Sequence, residues 1–386
     1  MALPRTAGHI THVARVVTEA VETGDLVGAE VLLCHRGAII QTVCAGWADR
    51  EAAIVLQEGY GFRIASMSKS IVSVAALALF DRNLLGLDDP IARWLPSFAP
   101  SLPDGRRPTI TVRHLLTHTA GLSYGFTEPS DSLFHRLGIS DGLDSTSVTL
   151  AQNVALVAQL PLLFEPGSAW RYSIATDVLG AVLEAVTGQT LDRVVGELVT
   201  GPLGMTATGF HASVDALMAI PYAAAEGDKP RRMTDPCTLP FEGCEIRYAP
   251  SRCFNRTLWP SAGTGMVGSA ADYLRFLEML RCGGAPALSP EAARLFATNA
   301  IKDLPTAAGP GHGWGLGCSV VTDAVRAGLP GNPGSWGWGG VYGTHFFVDP
   351  LAALSVVCMT NTATTGMAGR FPNALRQAVY RDICDL

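Results

Sequence analysis

Apolar and polar positions alternate with three different textures along this chain. Near the N-terminus a helical pattern runs over about 10–23. Two β-branched runs, 29–34 and 38–44, then flank His35-Arg36-Gly37, the signature of a hairpin. The stretch RIASMSKSIVSVAALALF is apolar on nearly every side, which predicts a central helix over about 64–82. From about 84 to 230 short helical pieces alternate with Pro/Gly loops. They include DDPIARWLP, with Pro90 at a first-turn position, then TVRHLLTH, LAQNVALVAQL and SIATDVLGAVLEAVTG, the last stopped by Gly188. After about 305 strand signals return in GWGLGCSVVTDA, GSWGWGGVYGTHFFVDP and LSVVCMTNTAT. A helix over about 370–384 closes the pattern.

Strands at both ends and helices between them predict one α/β lobe made of 1–83 and 231–386, with a mainly helical lobe, 84–230, inserted. The 386 residues, 48% apolar and 16% charged, suffice for a large core in two such lobes. A net charge of −6 without like-charge runs argues against a nucleic-acid surface or an anionic-membrane anchor. No apolar run reaches membrane-spanning length, and the first residues lack the features of a secretory leader, so a cytoplasmic location is expected if the chain is complete. The 9 cysteines are scattered singly and read as reduced thiols. Cys237, Cys244 and Cys253 cluster most, but no histidine of ligand spacing lies near them, so neither a metal nor another cofactor is expected.

Lysine usage changes the picture. Only Lys69, Lys229 and Lys302 occur among 28 basic residues, and only Lys69 falls where burial is expected. Ser66 lies three residues earlier, so the two share a helix face at its first turn. Burial lowers a lysine's pKa, and an amine so tuned can take a proton from a neighbouring hydroxyl. A helix N-terminus adds free N–H groups suited to an oxyanion. These features describe an activated serine nucleophile, against the plainer reading of a snorkelling lysine and a capping serine. Tyr172, between a Pro-Gly turn and a helix start, is a candidate second base, because a phenol beside an ammonium has a lowered pKa. A third element is the run Ser335–Gly343, whose four glycines on a strand suggest close approach of a ligand to the backbone.

These three pieces, in this order, resemble the penicillin-recognising serine enzymes. In detail they are similar to the family VIII carboxylesterases, a branch akin to class C β-lactamases. The likeness extends through HLLTHTAGL (114–122), LGISDG (137–142), FEPGSAWRYS (164–173), SAGTGMVGSAADYLRFLEML (261–280) and WGGVYG (338–343). The resemblance implies an α+β, β-lactamase-like fold, an antiparallel sheet flanked by helices with the helical lobe inserted. It also implies Ser66 as acylated nucleophile, Lys69 as its proton partner, and Tyr172 as general base that becomes general acid. The N–H groups of Ser66 and Val341 would form the oxyanion hole. The lactamase pattern carries asparagine where Ile174 stands and lysine where Trp338 begins Trp338-Gly339-Gly340. Both departures make the cleft more apolar and point to uncharged, short-chain esters, with little or no β-lactam cleavage.

Tyr124 and His345 are further candidates for the pocket. Asp177 could face the helix interior or simply favour the helix dipole. Gly121-Leu122-Ser123-Tyr124-Gly125 matches the nucleophile elbow of another hydrolase class, but a helical segment precedes it where that motif requires a strand. His118 has no carboxylate in sequence to orient it. The expectation is therefore a serine carboxylesterase whose partner is a small-molecule ester. An acyltransferase, an amidase or peptidase of the same fold, and a non-catalytic binding protein are the alternatives.

Overall fold

The hairpin forms as its sequence dictates. Strands Gly28–His35 and Ala38–Asp49 are joined by Arg36 and Gly37, with φ of 53° and 79°. Two successive positive φ values match the twist of paired strands. The computed structural model describes residues 11–225 and 228–385. Residues 1–10, on which the leader expectation and the predicted helix start at 10 rest, lie outside the described residues, as do 226–227 and 386.

The hairpin belongs to an eight-stranded sheet in which every neighbouring pair is antiparallel. In spatial order the strands are His312–Trp314, Ser319–Val321, Trp336–Gly340, Thr344–Asp349, Leu354–Thr360, Gly28–His35, Ala38–Asp49 and Ile54–Val55. N-terminal and C-terminal strands meet at the centre, where Val31 pairs with Cys358. Successive side chains of a strand point to opposite faces. Val31 and Leu33 pack with Val13, Val17, Leu375 and Val379 of helices His12–Glu22 and Arg370–Cys384. Leu32, between them, faces the other core, which contains Ile71 and Phe276. The two outer helices are clasped end to end: the Asp382 carboxylate accepts the N–H groups of His12 (2.8 Å) and Val13 (3.0 Å), which have no partner within their own helix.

The central helix, Ser68–Asp81, is preceded by a 3-10 turn, Ala65–Met67, and every residue from Ser68 to Leu79 is buried. Helices Val112–Leu116 and Leu150–Val157 begin with reciprocal capping boxes at Thr111/His114 and Thr149/Gln152. Ala175–Thr187 ends at Gly188 in the left-handed conformation, as expected. Pro90 precedes the 3-10 turn Ile91–Arg93 rather than standing inside a helical turn. Among the described residues, no helix is long and apolar enough to cross a membrane.

Apart from Thr362–Ala363, which falls within the expected LSVVCMTNTAT run, several short strands have no counterpart in the expectation. Tyr222–Ala225 runs parallel to Thr362–Ala363, Gly61–Arg63 pairs with Val267–Ser269, and Cys237–Phe241 forms a hairpin with Cys244–Tyr248.

One buried carboxyl in the sheet gives a stability test. Glu30 is 1% exposed, and its Oε2 has no hydrogen-bond partner. Burial, then the charge of Glu58, pushes its pKa up to about 7. A carboxyl with a raised folded-state pKa favours the fold when protonated. That contribution is complete below about pH 4.5 and is lost as pH rises through about 7. Glu30→Gln is expected to stabilise the protein by up to about 3 kcal/mol at pH 8 and by little at pH 4.5. Urea denaturation at the two pH values measures the difference; equal gains at both would refute this account.

Candidate active site

Ser66 sits in the 3-10 turn that launches the central helix and is 4% exposed. Ala65 before it has a φ of 43°, a strained conformation for a residue with a Cβ. One turn on, Lys69 reaches back so that its Nζ lies 3.3 Å from Ser66 Oγ. Nζ also donates to the Gly263 carbonyl at 2.8 Å. It stands 4.7 Å from the centre of the Tyr172 ring and 5.0 Å from that of Tyr124. Burial lowers its pKa to about 7, opposed by the charges of Asp177 and Asp141. A substantial neutral fraction therefore exists near neutral pH.

Tyr172 is held from both sides along the backbone. Arg171 N–H donates to the His118 carbonyl at 3.0 Å, and Ile174 N–H donates to the Ser123 carbonyl at 3.2 Å. Its hydroxyl oxygen accepts the Trp338 indole N–H at 3.0 Å, and Ser66 is hydrogen-bonded to the same phenol. The expected lowering of the Tyr172 pKa is not met. Burial dominates and raises it, against the smaller opposing effects of the Ser66 and Trp338 hydrogen bonds. The phenol is therefore neutral at physiological pH.

The Gly-rich strand, Trp336–Gly340, brings its end against the turn that carries Ser66. A Cβ on Gly340 would stand 2.2 Å from the Ile64 carbonyl oxygen, so only glycine allows this approach. Val341 follows directly and lines the same cleft as Ser66. On the side away from Thr344–Asp349, strand pairing reaches only Trp336 and Gly337. The edge at Trp338 and Gly339 thus has no partner strand among the described residues.

These elements enclose a cleft of about 610 Å³. Beside Ser66, Tyr172 and Val341, its walls include Phe126, Trp170, Phe241 and Trp338. Two cations also border it. Arg171 donates to Thr127 and lies 3.6 Å from Glu128, while Arg376 donates to the Pro330 carbonyl and lies over the Phe347 ring.

The structure brings Ser66, Lys69, Tyr172, Val341, Trp338, Gly339 and His345 to this cleft or directly against it. Two expected lining residues are elsewhere. Tyr124 is fully buried behind Lys69, stacked on Phe126, and is not part of the cleft wall. Ile174 is 1% exposed and packs in the core, because the chain turns into helix Ala175–Thr187 immediately after it. Gly340 serves backbone approach rather than the wall. Because a carbonyl can only accept, His345 donates from Nδ1 to Gly366, and burial lowers its pKa to about 4.

Ser123 bonds to Glu128 and Thr127, with no histidine hydrogen-bonded to its hydroxyl among the described residues, and a 3-10 turn rather than a helix follows. His118 is buried against Trp170, Tyr172 and Trp314, and its Nδ1 accepts from the Ser173 N–H. Gly263 and Asp141 were not legible as members of the site, although SAGTGM and LGISDG carry them. Phe241 likewise reaches the cleft from the unexpected hairpin.

Residues 13–380 match the Beta-lactamase family model. The chain is 44% identical to Esterase EstB of Burkholderia gladioli across 95% of its length and 93% of that relative. Among solved structures, "EstCE1, a hydrolase with promiscuous acyltransferase activity", shares 43% identity and a TM-score of 0.92, covering 96% of this chain and 97% of that one. Unliganded simvastatin synthase (LovD) from Aspergillus terreus has a TM-score of 0.74 at 21% identity, covering 97% and 98%, a likeness of fold alone.

Proposed function

This chain belongs to the Beta-lactamase family, and on that premise we propose that it is a cytoplasmic serine carboxylesterase of the family VIII branch. It hydrolyses short-chain esters through an acyl-enzyme on Ser66. The observation that carries this reading is the buried Lys69 amine, 3.3 Å from Ser66 Oγ and tuned to about 7. An amine that is neutral near pH 7 can accept a proton from the hydroxyl as it attacks.

In the acylation step Ser66 Oγ bonds to the ester carbonyl carbon while its proton passes to Lys69 Nζ. The oxygen that gains charge faces the Ser66 and Val341 amides. Collapse breaks the bond to the alcohol oxygen, which takes the Tyr172 hydroxyl proton. In the resting site the Tyr172 oxygen accepts from Trp338 and from Ser66; once Ser66 has given up its proton, the Tyr172 O–H is the donor beside the departing oxygen. Lys69 then returns its extra proton to the phenolate. Water repeats the attack on the acyl-enzyme and releases the acid. Burial favours this division of labour, since it leaves Lys69 with a ready basic form and Tyr172 without one.

The preference for uncharged esters rests on Trp338. An indole there offers one neutral donor, already engaged by Tyr172, and no cation for a substrate carboxylate. The 9 free cysteines among the described residues support a reducing compartment. A second reading, acyl transfer to an alcohol in place of water, is favoured by the broad aromatic cleft, which has room for an acceptor.

Stopped-flow hydrolysis of p-nitrophenyl acetate and butyrate, followed by intact mass and peptide mapping of the quenched protein, tests the proposal. One equivalent of rapid p-nitrophenol release and an acyl adduct on Ser66 are expected. An adduct on Ser123, or turnover with no adduct on the protein, would overturn it. Adding an alcohol and measuring new ester against free acid separates transfer from hydrolysis.

A further inference from the structure

Three segments converge behind Lys69, on the side away from the cleft. Asp177, in the first turn of Ala175–Thr187, is 1% exposed. Its Oδ1 accepts from Ser261 Oγ at 2.8 Å and from the Gly263 N–H at 3.2 Å. The carbonyl of the same Gly263 accepts Lys69 Nζ at 2.8 Å. Asp177 and Lys69 thus hold the two polar ends of one residue. No side chain fits between them: a Cβ on residue 263 would stand 2.6 Å from the Tyr124 hydroxyl and 2.7 Å from Asp177 Oδ2. A carboxylate placed only for the helix dipole would bond the free N–H groups of its own first turn. The hydrogen bonds of Asp177 go instead to the 261–263 segment.

Its other oxygen, Oδ2, is buried without a hydrogen-bond partner among the described residues. A buried carboxylate in this condition requires a compensating cation. Burial raises the Asp177 pKa; the Ser261 hydrogen bond, the Lys69 charge, the Gly263 N–H and, last, the charge of Arg252, which spends its own donors on the Asp144 and Trp259 carbonyls, oppose that rise and favour the carboxylate.

We infer that Asp177 is a positioning residue for Lys69: it tethers the Gly263 carbonyl to the amine and supplies the anion that stabilises the ammonium formed when Lys69 takes the Ser66 proton. The inference rests on the assignment of Lys69 as proton acceptor. Its consequence is a division between geometry and charge within one side chain. The tether requires only an acceptor oxygen, whereas the electrostatic effect requires a carboxylate.

Two substitutions separate these roles. Asp177→Asn keeps an acceptor for Ser261 and Gly263 but removes the charge. Without the anion the ammonium is less favoured, so the amine loses its proton at lower pH. The rising limb of the pH profile of kcat/KM for p-nitrophenyl acetate is expected to move down by roughly one pH unit. Asp177→Ala removes the tether as well and is expected to lower the plateau about tenfold beyond the asparagine variant. The other titratable or charged groups facing the pair are Asp141, Tyr124, Tyr172, His118 and Arg252. Burial holds the two tyrosines and His118 neutral across the range, but Asp141 has a pKa raised to about 7, first by burial. Asp141→Asn is therefore measured in parallel.

Burst amplitude counts competent sites in each variant, so partial misfolding cannot imitate a change in the profile. An unmoved limb in Asp177→Asn overturns the inference, as does a limb that moves only in Asp141→Asn. If the wild type forms no adduct on Ser66, the esterase reading itself fails. If the adduct forms and the limb stays in place, only the role of Asp177 fails.

Discussion

Ser66→Ala is expected to lower kcat/KM for p-nitrophenyl acetate by about 100,000-fold or more and to abolish the acyl adduct. The magnitude follows from what the hydroxyl does. In the proposed mechanism it forms and breaks the bond to the acyl carbon, and the other participants act through it. The change deletes one oxygen from a helix turn and leaves the Lys69 bond to Gly263 and the Trp338 bond to Tyr172 in place. Thermal unfolding and inhibition by a non-hydrolysable substrate analogue should therefore change little. Loss of activity together with loss of analogue binding would indicate a disturbed turn rather than a missing nucleophile. Retained activity would remove Ser66 from the mechanism.

Lys69→Met should reduce kcat/KM by about 1,000- to 100,000-fold and lower the melting temperature, because the buried Asp177 loses its main compensating cation. Methionine matches much of the lysine stem, so the packing is kept, but the Gly263 carbonyl loses its donor and Asp177 its compensating charge. Arginine at this position would not restore activity, because a guanidinium stays protonated and cannot accept the Ser66 proton. The wild-type pH profile gives the matching test. In the proposed mechanism the amine acts when unprotonated, and burial lowers its pKa to about 7, so kcat/KM should climb as pH rises through that value. A profile that instead falls through pH 7 would mean that the ammonium is the working form, with Tyr172 taking the first proton.

The elements legible in the sequence are those whose signal is local. The central and C-terminal helices are continuous patterns, and the first hairpin carries its own turn. Ser66 and Lys69 are adjacent on one helical face, so their meeting follows from spacing alone. The Cys237–Phe241 hairpin also had a local signal, since Glu242 and Gly243 both take positive φ and the first strand alternates buried and exposed positions. Its proline and charged residues obscured it.

Tyr124 and Ile174 mark a different limit. Proximity to a motif does not determine which way a side chain points, and both turn into the core. The state of Tyr172 was misread because its neighbours were weighed without its burial. Gly263 could not be assigned a role from sequence, since its importance lies in Tyr124, Asp177 and Lys69 arriving from three other segments.

The meeting of Gly28–His35 with Leu354–Thr360 also sets an order of events during synthesis. The first hairpin emerges from the ribosome roughly tens of seconds before its central partner does. Throughout that interval the edge of Gly28–His35 that Leu354–Thr360 will occupy has no native partner. The Asp382 clasp closes later still, since Asp382 follows that strand along the chain. A chain interrupted before residue 354 therefore carries Ser66 and Lys69 beside a sheet that lacks one of its inner strands, and such a fragment should be a target for chaperones and proteases.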